Sequence, residues 1–264
     1  MATSAGGADL EASMLEKKKT GSDLRKGYTS HWHVPKHEHL GGISGDAVKA
    51  GFRKKVYAIL SIQIGITGAI CMAFMYIPIL NDFALQLLSN SIVFGCVTIV
   101  PLVIITCFLM AQKNNYPANA GLLVLFTVAN SMTVGVVCAI FAKAGMASLV
   151  LEAFVITMGV FIGLTAFVML MGDRLDLGLM GGFLFVMLMA MLTTALVGIF
   201  IPSVTQNILY ASAGAVLFAG YIIFDTWRIE QVFGPDDYII AAIEIYLDLI
   251  NMFLYILQIL AESK

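Results

Sequence analysis

Apolar residues along this chain come in runs of about twenty, parted by short polar breaks. A helix needs about 20 apolar residues to cross the hydrocarbon core of a bilayer. In lipid, a helix satisfies every backbone donor and acceptor within one segment. Seven spans are therefore predicted, covering 56–77, 91–111, 118–141, 149–171, 179–201, 208–229 and 237–260. Pro78 closes the first, and Pro101 inside the second predicts a kink. The breaks are short, so the pattern predicts an all-α polytopic membrane protein without an extramembrane domain. Small residues recur four apart, as Gly159 and Gly163 in the fourth span and as Ala211, Ala215 and Ala219 in the sixth. Such rows let helices approach closely.

The last run departs from the others, because it carries Glu244 and Asp248 midway along. An ionisable group at the bilayer centre costs about 3 kcal/mol on insertion scales, so two of them need a reason. Four residues apart, they share one helical face. Asn251, Tyr255 and Gln258 continue that stripe, while Ile, Leu and Phe fill the other side. This predicts a helix with a polar seam at membrane depth, around which the other spans are arranged.

Composition changes the picture in two ways. The chain is 59% hydrophobic and 12% charged, where soluble domains carry about 25% charged residues, which excludes the soluble globular classes. Charge is also unevenly spread, since ten of the fifteen Lys and Arg precede residue 56. With the N-terminus inside, the inner loops add Lys113, Arg174 and Arg228 to those ten, and the outer side holds Lys143 and Lys264. Basic residues gather on the cytoplasmic side, so the N-terminus is expected there. Seven full spans put the C-terminus outside, and a re-entrant seventh stretch would put it inside. Residues 1–50 are too polar to bury a core and are read as a disordered cytoplasmic tail, with 51–264 forming the seven-span domain. The tail holds His31, His33, His37 and His39, either a metal-binding tract or a solvated segment, and Lys17 to Lys19, too few for a polybasic lipid site. Cys71, Cys96, Cys107 and Cys138 all fall within spans without a CxxC pattern and are read as apolar filler. No cleavable signal peptide is expected.

Asp225 adds an acid to the sixth span. If that helix runs to Val232, Asp225 lies ~10 Å from its inner end, and Asp248 lies ~16 Å into the last span, at 1.5 Å per residue. These spans are antiparallel and joined by a short inner loop, so the aspartates can meet in the inner half of the membrane. Two carboxylates in a poorly solvated site cannot both ionise cheaply and would share a proton. Deprotonated, they offer oxygens to a hard cation such as Ca²⁺, which takes about six to eight. Glu244, Asn251, water or backbone carbonyls would complete the shell. Simpler roles stand beside these. Asp225 could be an interfacial group near Arg228, Asp248 a protonated acid bonded to a neighbouring helix, and Glu244 a vestibule residue. Glu152, near the outer end of the fourth span, is either an interfacial carboxylate or a cation-attracting mouth. An intramembrane aspartyl protease would carry GxGD, but Tyr246 and Leu247 precede Asp248, and all four His lie in the tail. An enzyme is not expected.

Three stretches resemble the Bax inhibitor-1 superfamily, and its Lifeguard branch in particular. They are FRKKVYAILSIQI at 52–64, GYIIFDTWRI at 220–229 and DDYIIAAIEIYLDLINMFLYIL at 236–257. The resemblance implies a seven-helix fold with the last helix central and enclosed by the other six. It implies a pH-sensitive Ca²⁺ leak across endoplasmic reticulum or Golgi membranes and a restraint on cell death. Its di-aspartyl pH sensor falls on Asp225 and Asp248. Some members latch the closed state with an arginine on the second span, and here that span has no basic residue. The expected partners are the lipid bilayer, Ca²⁺ and protons, and cell-death regulatory membrane proteins, not nucleic acid. No cofactor is expected beyond Ca²⁺ and H⁺ as transported or regulatory ions. Ca²⁺/H⁺ exchange through the same acids, and a scaffold acting through partner proteins, are the alternatives.

Overall fold

Eight helices account for most of the residues that the computed structural model describes, which are 45–89, 91–113, 115–171 and 174–264. They are α1 (Gly45–Tyr76), α2 (Pro78–Leu88), α3 (Ser91–Ala111), α4 (Ala118–Lys143), α5 (Ala147–Met171), α6 (Met180–Phe200), α7 (Ile208–Gln231) and α8 (Tyr238–Glu262). All but α2 are long and apolar enough to cross a membrane. The protein is a multi-pass membrane protein. The predicted tail, with its histidines and its lysine triplet, lies outside the described residues except for 45–50, which open α1.

Hydropathy locates where a helix becomes apolar, not where it begins. The first span was expected from Val56, yet α1 starts at Gly45. Its basic collar stays helical because it finds partners on α7 and α8. Lys49 donates to the Glu230 carbonyl at 3.3 Å, Arg53 pairs with the Glu230 carboxylate at 2.7 Å, and Lys55 stands 5.4 Å from the Tyr238 ring centre. The start of α1, the end of α7 and the start of α8 therefore meet at one end of the bundle. At its other end α1 stops before Pro78, which opens α2, where a missing N–H costs nothing. The sequence reading had no helix here. With 11 residues α2 is too short to span, and Asn81 ties it back by donating to the carbonyls of Phe74 and Ala139.

Hydroxyls inside the bundle first satisfy themselves against their own helix. Thr67, Thr127, Ser131 and Thr157 each donate to the carbonyl four residues earlier. Several then bond across helices. Gln63 of α1 donates to Thr127 of α4 at 3.0 Å, and Thr67 meets both Ser131 of α4 and Tyr246 of α8, at 2.8 and 2.9 Å. Beside them, α8 packs against α7, α5 and α4 and is one unbroken helix of 25 residues. Its twelve buried residues include Ala241, Ala242, Tyr246 and Asp248.

The small-residue rows divide. Ala211 is fully buried on α7, and Ala215 and Ala219 pack against the core. Gly159 and Gly163 do not pack. They sit on the exposed side of α5, where an added Cβ would meet nothing within 4 Å. The buried face of α5 is instead Ala153, Thr157, Phe161 and Thr165, so the glycine spacing marked the wrong face. On α7 a close approach to α8 is at Gly214, where a Cβ would fall 2.6 Å from the Tyr255 ring. Gly214→Val should therefore destabilise the α7–α8 contact by about 1–3 kcal/mol, while Gly159→Ala stays within about 0.5 kcal/mol of wild type. Thermal unfolding of the two variants in detergent compares them directly.

Candidate functional site

The polar stripe foreseen on the last helix faces a cavity of about 480 Å³ between α6, α7 and α8. From α8 it receives Glu244, Leu247, Asp248, Asn251 and Tyr255, a face of i+3 and i+4 steps. From α7 come Asp225 and Arg228 with Tyr210, Phe218, Tyr221 and Phe224, and from α6 four apolar residues beginning at Leu188. Of the expected site residues, Asp225, Asp248, Glu244 and Asn251 are brought together here. Glu152 is not. It lies exposed on α5 and does not line the cavity, because the inward face of α5 passes through Leu149, Ala153 and Thr157 and leaves Glu152 outside it.

Asp225 and Asp248 are 4% and 6% exposed. Their carboxyl groups lie within hydrogen-bonding reach of each other. Two carboxyls can hydrogen-bond only if one carries a proton. The Oδ2 of Asp248 is buried with no partner of its own. Asp225 has a second neighbour, since Arg228 one turn on donates to its Oδ1 at 3.2 Å. The same guanidinium nitrogen donates to Glu244 of α8 at 2.7 Å. Arg228 is thus a bridge between helices, with its guanidinium carbon 4.4 Å from the Phe233 ring centre and 5.7 Å from that of Phe224. Sequence reasoning counted Arg228 as an inner-loop charge and a solvating neighbour of Asp225. The signal for more was present, because Arg228 lies at i+3 from Asp225 and the short loop brings Glu244 back beside it.

Below these charges the seam is neutral. Asn251 donates to the Leu247 carbonyl at 2.8 Å, and the Tyr210 and Tyr255 hydroxyls approach to 3.4 Å. Gln258 donates to the Thr205 carbonyl at 2.7 Å, closing the far end. Among the described residues no group of three or more His, Cys, Asp or Glu side chains is placed to hold a metal ion. The cavity offers carboxylate oxygens with a resident arginine among them.

Residues 49–264 match the family described as inhibitor of apoptosis-promoting Bax1. The chain belongs to the Bax inhibitor-1 family. Among its relatives, Bax inhibitor 1 of Schizosaccharomyces pombe is 34% identical over 215 residues, covering 81% of this chain and 77% of the yeast protein. Protein lifeguard 4 of Mus musculus is 33% identical over 213 residues, 81% of this chain and 85% of the mouse protein. The Golgi anti-apoptotic protein of vaccinia virus strain Lister is 30% identical over 219 residues, 82% of this chain and 87% of the viral protein. The family match takes in all the helices but the first four residues of α1, and the cavity with them.

The arginine bridge makes a measurable claim. Removing it leaves Asp225 and Glu244 without their charge-assisted bonds, each worth about 1.5–3 kcal/mol before solvent exposure is discounted. Arg228→Gln should lower stability by about 1–3 kcal/mol. Adding Glu244→Gln should recover part of that loss, because the two changes share one interaction. A double-mutant cycle by thermal unfolding in detergent reads the coupling, and simple additivity would mean that the bridge carries no energy.

Proposed function

We propose that this protein is a passive Ca²⁺ leak of an endoplasmic reticulum or Golgi membrane. A proton shared by Asp225 and Asp248 regulates it, and by lowering stored Ca²⁺ it restrains cell death. The observation that carries the reading is the buried meeting of these two aspartates, from two helices, on the wall of a cavity that also holds Glu244 and Arg228. Membership in a family whose members are named for blocking cell death supports the cellular part. The name of the viral relative supports the Golgi as one membrane. The basic end of the bundle, with Lys49, Arg53, Lys55 and Arg228, supports a cytoplasmic N-terminus.

The proposed cycle uses the chain's own groups. Arg228 occupies the place that a cation would take among the carboxylates. A proton on the aspartate pair keeps the two carboxyls together and α8 seated on α7. Loss of that proton sets like charges against each other, loosens the contact across the two helices and offers oxygens to Ca²⁺. Two carboxylates are too few for a Ca²⁺ shell, so Glu244, Asn251 and water complete it only in passage. Coupled Ca²⁺/H⁺ exchange would use the same acids, and stoichiometric proton counterflow distinguishes it from a leak.

Ca²⁺ flux into proteoliposomes, measured from acidic to neutral pH, tests the reading. The wild type should show a pH-dependent flux. Asp225→Asn and Asp248→Asn should each flatten that dependence while the protein still folds, and Glu152→Gln should leave it unchanged. Flux that keeps its pH dependence in both aspartate variants would remove the switch. Protection against cell death that survives in the double variant would favour the scaffold instead.

A further inference from the structure

On the other side of α8 from the acids, α1 and α4 run side by side in the same direction. Gln63 bonds Thr127 and Thr67 bonds Ser131, both pairs being 64 residues apart. The helices therefore keep one register over a full turn. One turn further, that register brings Cys71 opposite the stretch from Gly135 to Cys138. The glycine allows a close approach, since a Cβ there would stand 2.9 Å from the Phe74 ring. Cys71 and Cys138 are 8% and 0% exposed, lie in the same buried cluster and have their thiols within reach of each other. Both are free. The remaining two cysteines, Cys96 and Cys107, are exposed on α3 and ~16 Å apart along it, too far to bridge each other.

We propose that Cys71 and Cys138 form a dithiol oxidation site, at which a peroxide converts two thiols into an intramolecular disulfide that fastens α1 to α4. Hydrogen peroxide is small and uncharged, so it reaches thiols that a protein oxidant cannot. The Cys71 sulfur, the more accessible of the two, attacks one peroxide oxygen. The O–O bond breaks, the thiol proton leaves with the departing oxygen as water, and Cys71 becomes a sulfenic acid. The Cys138 sulfur then attacks the Cys71 sulfur. The S–S bond forms, the S–O bond breaks, and a second water carries off the Cys138 proton. Two thiols lose two electrons, and the peroxide gains them. The consequence reaches α8, because Thr67, one turn before Cys71, holds Tyr246. The bridge fixes the wall against which α8 leans, and its formation does not depend on the transport reading.

The test uses the full chain in liposomes with Cys96→Ser and Cys107→Ser, exposed to hydrogen peroxide, denatured in maleimide and analysed by mass spectrometry. The dose is one that oxidises Cys96 and Cys107 in the wild type. Both remaining thiols should escape labelling together. Their two peptides should appear as one species, lighter by two hydrogens than their sum, in a protein that stays a monomer. Dithiothreitol should restore both labels. With Cys71→Ser added, Cys138 should stay labelled at the same dose. The proposal is overturned if both thiols remain labelled, if the link joins two copies, or if Cys138 is oxidised without Cys71.

Discussion

One guanidinium lets three carboxyl groups sit together inside a membrane protein. Asp225, Asp248 and Glu244 share one cavity wall, and unpaired charges there would cost several kcal/mol each. Arg228 answers two of them from a single nitrogen, at 3.2 and 2.7 Å. The two bonds differ in what they hold. The bond to Asp225 stays within α7 and moves with that helix. The bond to Glu244 crosses to α8, so any displacement of α8 must break or carry it. The surroundings serve this crossing. Phe233 and Phe224 place their rings beside the guanidinium, and Gly214 lets Tyr255 come close enough to set the spacing of the two helices.

The opposite face of α8 is held by different chemistry. Tyr246 lies two residues from Asp248, which turns it about 200° around the helix, and it is fully buried against α1 and α4. Its partner Thr67, and Ser131 next to Thr67, keep bonds to their own helices. Losing the contact with Tyr246 would therefore leave neither hydroxyl stranded in apolar surroundings. Hydroxyls of this kind hold a helix in register at modest cost, roughly 0.6 kcal/mol per contact in membrane proteins. One face of α8 is thus tied by charge, and the other by neutral bonds that tolerate a shift.

Much of this was legible in the sequence, for reasons that particular residues make plain. Spans show in hydropathy because lipid leaves a chain few alternatives to a helix. The meeting of Asp225 and Asp248 followed from rise per residue and one short loop. Glu244 and Asn251 followed from sharing a face with Asp248. What failed to show was orientation around the helix axis. Gly159 and Gly163 had the spacing of a packing row but point outward, and Glu152 lies one residue from the buried Ala153 yet faces away. In an apolar helix with no polar face, sequence carries little record of which side meets protein and which meets lipid. The start of α1 was hidden because its collar is held by Glu230, far along the chain. Arg228 was visible as a charge and not as a bridge, because a bridge needs the distance to Glu244.

Counting charge explains why a proton and Ca²⁺ belong to one site in the proposed mechanism. With all acids ionised, Asp225, Asp248 and Glu244 against Arg228 carry a formal −2, and one shared proton leaves −1. Burial makes the second negative charge the expensive one. A divalent cation entering the deprotonated cavity would cancel the charge that the missing proton exposed, whereas in the protonated cavity it would meet only half of it and still face the resident guanidinium. In that mechanism proton and Ca²⁺ would compete for the same carboxylate oxygens. Control by pH needs no separate gate, because the proton that quiets the charge also withdraws the ligands.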